Sequence, residues 1–79
     1  MPVYYFDICR RGEDYRDEIG DRFESVEQAM THVRSLLSDI ARDHPPSEDG
    51  PVVACALRDE AGRIVYRGEL TYRGVRIAP

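Results

Sequence analysis

An α+β fold of order ββαββ, with one helix packed on one face of a four-stranded antiparallel sheet, is predicted by three features of the sequence. The run VYYFDIC (3–9) is dense in aromatic and β-branched residues, the composition of a strand. Residues 25–43 repeat apolar side chains at helical spacing. Beyond two consecutive prolines, VVACALRDEAGRIVYRGELTY (52–72) reads as two strands around a turn. The 79 residues suffice for a single domain, 1–79, with one modest core.

The first strand ends at RRG (10–12), where a glycine supplies the turn, and EDYRD (13–17) returns as a short polar strand. Its charge suits a sheet edge, because it discourages pairing with other chains. In the helix, Val26, Ala29, Met30, Val33, Leu36, Leu37, Ile40 and Ala41 form one apolar stripe. Its start is marked by Ser25, which can accept the N–H three residues on, while Gln28 can reach back to the Ser25 amide as a capping box. Glu24 and Glu27 add negative charge near the positive end of the helix dipole. Pro45 and Pro46 require the helix to stop by His44, and 44–51 is a loop. Strands over 52–58 and 63–72, joined by DEAG (59–62), complete the chain.

Chain direction then sets the sheet order. If the helix carries the chain back across the sheet, the third strand lies antiparallel beside the first, giving 2-1-3-4 with the most apolar strands central. Alternation assigns Tyr4, Phe6, Ile8, Val53, Cys55, Leu57, Ile64, Tyr66 and Leu70 to the helix side. The opposite face receives Val3, Tyr5, Asp7, Val52, Ala54, Ala56, Arg58, Val65, Arg67 and Glu69, and no element is left over to cover it.

Composition narrows the function classes. A hydrophobic content of 42% with 33% charge describes a foldable globular chain rather than a disordered one. A net charge of −4 gives no general attraction to nucleic acid phosphates. All 11 basic residues are Arg, a bias that fits a GC-rich genome. No apolar run is long enough to span a membrane, and VYYF is interrupted at once by Asp7, so neither a membrane segment nor a signal peptide is expected. A cytoplasmic location follows, in which Cys9 and Cys55 are small, partly buried strand residues without a disulfide. Their opposite parity also places them on opposite faces.

DEIGDRFESVEQA (17–29), with five carboxylates in thirteen positions, is the one stretch with the composition of a metal or acid/base site. Aligning Gly20 with the glycine of a calcium loop puts Tyr15 and Val26 where ligands are needed, so the spacing is wrong. The pairs Asp17/Glu18 and Asp59/Glu60 fall in turns open to water, whereas acid/base work needs unequal, partly buried environments. His32 lies on the polar side of the helix, and His44 sits at the helix C-terminus, where its charged form favours the dipole. No Cys or His stands at a zinc spacing from either. No catalytic residue, cofactor or metal site is expected, and the chain is read as a non-enzyme.

MPVYYFD at the start, D-E-I-G ahead of a helix opening S-V-E-Q-A, and R-D-E-A-G-R-I-V near the end together resemble a domain-of-unknown-function family of short proteins from rhizobia and related alphaproteobacteria. The resemblance spans nearly the whole chain. It implies a small cytosolic α+β protein and brings no activity or catalytic residues with it.

The functional expectation is an interaction module that self-associates, as a homodimer, or binds a protein partner through its uncovered sheet face or an edge. The candidate interface comprises Val3, Tyr5, Val52, Ala54, Ala56, Val65, Arg58 and Arg67. The alternative is a small nucleic-acid-binding or antitoxin-like regulator stacking bases on Tyr5 beside Arg58 and Arg67. Asp7 and Glu69 on the same face, and the lack of a basic stripe, argue against it.

Overall fold

In the computed structural model, which describes residues 1–79, the aromatic run becomes β1 (Val3–Arg10). Arg11 and Gly12 reverse the chain with φ of 49° and 80°. Such paired positive φ values match the twist of a tight hairpin, and β2 (Glu13–Tyr15) follows. A further contact with β1, absent from the sequence expectation, comes from β3 (Asp21–Arg22), which pairs with Val3 and Tyr4. Then come α1 (Val26–Asp43), β4 (Gly50–Arg58) and β5 (Ile64–Tyr72). The sheet order β2-β1-β4-β5 is the expected 2-1-3-4, antiparallel throughout, with β3 added on β1.

The helix starts as its caps dictate. Ser25, in extended conformation, accepts the Gln28 N–H through Oγ at 3.2 Å. The reciprocal bond differs from the expected one, since Gln28 Oε1 accepts from Glu24 N rather than Ser25 N. At the far end the His44 N–H donates to Ile40 O, and the prolines follow.

The core lies between α1 and the sheet: Ala29, Val33 and Leu37 meet Phe6, Val53, Cys55 and Leu57, flanked by half-buried Tyr4, Ile8, Tyr66 and Leu70. Gly68 lets the helix approach β5, because a Cβ there would stand 2.9 Å from Val33 Cγ1. Phe23, unassigned by alternation, joins an aromatic cluster with Tyr4 and Phe6. His32, although exposed, sets its ring edge-on against Phe6 at 5.1 Å between centroids, so it is not simply a polar-face residue.

Two positions leave their predicted faces because the β4–β5 register shifts twice. Leu57 pairs with Tyr66 but Arg58 with Ile64, so Val65 is an extra residue and Ile64, expected in the core, is 65% exposed. At the other end Pro51 pairs with Thr71 and Val53 with Leu70. Val52 is then the extra residue, and it lies in the core cluster rather than on the outer face. A bulge breaks the period of two, and strict alternation cannot anticipate it.

Candidate functional site

The two edges of the sheet are built differently. On β1 the edge away from β4 is closed along its length: β2 pairs with Ile8, Cys9 and Arg10, and β3 with Val3 and Tyr4. In the gap between them the Phe6 N–H donates to Asp17 Oδ2 at 3.0 Å, a side chain standing in for a strand.

Asp17 is the hub of that closure. Its Oδ1 accepts from the N–H groups of Ile19 and Gly20, both at 3.0 Å, which folds DEIG into a tight loop. Its own N–H donates to Asp7 Oδ1 at 2.9 Å. Arg58, arriving from β4, grips Asp7 in bidentate fashion, Nε to Oδ2 at 2.6 Å and NH2 to Oδ1 at 3.1 Å. It also donates to the Asp17 carbonyl at 2.7 Å. The guanidinium lies 4.8 Å from the centroid of the Tyr5 ring. Two-pronged geometry, with further hydrogen bonds to the remaining groups, is what allows such a pair to be withdrawn from water.

Gly20 completes the loop with φ of 75°. A Cβ at this position would meet Val3 Cγ1 at 2.7 Å and Tyr5 Cε1 at 2.8 Å. The DEIG loop therefore lies on the outer sheet face at Val3 and Tyr5, a face expected to be bare. Asp17, predicted to be a solvated turn residue in the second strand, is instead half-buried and structural. The turn after β4 repeats the device: Asp59 Oδ1 accepts from the N–H groups of Ala61 and Arg63, and Oδ2 pairs with Arg63. Its neighbour Glu60 accepts the Val3 N–H.

These contacts set the titration of the groups involved. The Arg58 hydrogen bond holds the Asp7 carboxyl below its ordinary range. Burial works to raise Asp17, but the N–H groups of Gly20, Phe6 and Ile19 outweigh it, and the net shift is downward. Asp59 is lowered chiefly by the Arg63 N–H. Cys55, buried between sheet and helix, is pushed up to about 11, mainly by desolvation. Cys9 is exposed, pairs with Ala54 on the outer face, and is raised by a hydrogen bond to Asp14.

The predicted interface residues are thus dispersed in role. Val52 is in the core, and Arg58, 9% exposed, has its charge committed to Asp7. Ala54 is buried in the sheet, while Val3, Tyr5 and Ala56 are half-buried and Val65 and Arg67 exposed. Above Ala54 and Ala56 is a shallow depression of about 240 Å³, edged by Asp7, Asp14, Arg16 and Arg67. No group of three or more His, Cys, Asp or Glu side chains converges as metal ligands would, and no helix is long and apolar enough to cross a membrane.

The β5 edge has no such closure. Nothing pairs with its outer side along nine residues, and Ile64, Val65 and Tyr72 stand exposed on it. This is a one-helix antiparallel α+β domain in which one edge of the sheet is cut down to two short strands and an acidic loop, while the other, β5, is open along its length. The chain belongs to the family described as a domain of unknown function (DUF6894), whose profile matches residues 3–71. No match was found among curated proteins or among solved structures.

Proposed function

We propose that this chain is a non-catalytic interaction module that self-associates through the β5 side of its sheet. The observation that carries the reading is the contrast between the edges. The outer edge of β1 is occupied by two short strands and a carboxylate, whereas β5 offers its whole length to another chain. An open strand edge is a template for strand addition. Asp7, Asp17, Asp59 and Arg58, the carboxylates and guanidinium whose titration the fold displaces, are engaged in holding that fold.

The surface charge supports protein over nucleic acid as partner. Arg58 is neutralised by Asp7, and Arg67 lies 3.5 Å from Glu69. Light scattering at ~100 µM, well above the micromolar affinity of a modest interface, tests the proposal. The expected mass is that of a dimer, unchanged by added RNA or DNA. A monomer would remove self-association, and a mass rising with nucleic acid would favour the regulator reading.

A further inference from the structure

We propose that two copies of the chain join β5 to β5 antiparallel about a two-fold axis through Gly68, making one continuous eight-stranded sheet from two four-stranded paths. The inference rests on the self-association reading above and adds its register. Two features carry it: which backbone groups of β5 are free, and how β5 meets its own reverse.

The free groups follow from the ladder. The Phe6 N–H points to Asp17 and away from β4, so the β1 residues bonded to β4 are Tyr5, Asp7 and Cys9, opposite Arg58, Ala56 and Ala54. Leu57, Cys55 and Val53 consequently turn their N–H and C=O groups toward β5, onto Tyr66, Gly68 and Leu70. Those of Arg67 and Glu69 face the open edge.

A two-fold axis perpendicular to the sheet keeps the faces of the two copies aligned, so residues set opposite each other must share a face. With the axis at Gly68, Arg67 stands opposite Glu69 of the other copy, twice, and these are the positions with free backbone groups. Tyr66 then meets Leu70 on the helix side, extending the apolar layer that both already flank. Other registers lose this match. An axis at Arg67 or Glu69 opposes like charges. One at Tyr66 sets Arg67 against Val65, and one at Leu70 sets Glu69 against Thr71. Within one chain Arg67 and Glu69 already lie 3.5 Å apart on the outer face, so the edge carries no net charge to repel its copy. Opposite-charge cross-strand pairs stabilise a ladder and like-charge pairs destabilise it.

Charge reversal at these two positions makes the register testable. Arg67→Glu alone and Glu69→Arg alone each place like charges opposite one another twice, and each should weaken self-association by roughly tenfold or more. Mixed in equal amounts, the two variants should recover association as a heterodimer. Both edge charges are acidic in the first variant and basic in the second, so every cross-strand pair between the two chains is again of opposite sign. Sedimentation of each variant and of the mixture reads this directly, with circular dichroism checking that each is folded. A dimeric unmodified protein whose single variants stay dimeric, or whose mixture gains nothing, overturns the Gly68 register while leaving self-association standing. A monomeric unmodified protein overturns both.

Discussion

Asp17 accepts three backbone N–H groups and, through its own amide, holds the carboxylate that Arg58 grips. Replacing it with Ala leaves the part-buried Phe6 and Gly20 donors without their partner, turns the exposed Ile19 N–H over to water, and opens the middle of the β1 edge. Because unmet donors cost more than a hydrogen bond contributes when made, a loss of ~2–4 kcal/mol in urea unfolding is expected. Gly20 is equally constrained. An alanine there adds left-handed strain to two contacts under 3 Å with Val3 and Tyr5, so Gly20→Ala should cost about 1–3 kcal/mol. Were both variants as stable as the parent, the loop would not lie on the sheet in solution. The local part of this arrangement could have been read from the sequence, since an Asp three residues before a Gly, with a turn between, is the pattern of a side chain bonding forward to its own backbone. Its grip on Phe6 and Arg58 could not, because those partners lie 11 and 41 residues away and meet Asp17 only once the sheet has formed.

At the scale of elements, what the sequence revealed divides along the same line. The helix was legible from end to end because its stripe, its Ser25 cap and the prolines beyond it all act within a few residues. The sheet order was legible from chain direction. The faces of Val52 and Ile64 were not, since a bulge is defined by the partner strand rather than by the bulged one. The two-residue β3 carries no pattern of its own and exists because the Asp17 loop brings it alongside Val3 and Tyr4. The Ser25 cap offers the cleanest test at this scale: Ser25→Ala should lower stability by about 0.5–2 kcal/mol through loss of the bond to the Gln28 amide. Glu24→Pro, which removes the N–H that Gln28 accepts, tests the second half of the cap, and its effect should largely disappear when Gln28 is already Ala.

For the molecule as a whole, the groups with displaced pKa values predict a stability plateau bounded on both sides by identifiable residues. Asp7, Asp17 and Asp59 are all lowered in the folded state. Each therefore contributes stability that is present above the unfolded carboxyl value of about 4 and is lost as pH falls through the folded one. On the alkaline side the sign reverses. Cys55 is raised from 9.0 to about 11, so its contribution is present below the unfolded value and fades as pH rises toward the folded one, where a buried thiolate would have to form. Denaturant midpoints measured at fixed protein concentration should thus be level from about pH 5 to about pH 8 and fall on either side. Asp17→Asn should flatten the acid limb, because a neutral amide has no proton to take up. Cys55→Ala should lower the whole curve by opening a small gap beside Leu57 and Val33, yet reduce the slope of the alkaline limb, which simple loss of packing would leave unchanged. Stability that rose steadily as the pH dropped below about 4 would mean that these carboxylates are not held by Arg58, Arg63 and the backbone in solution.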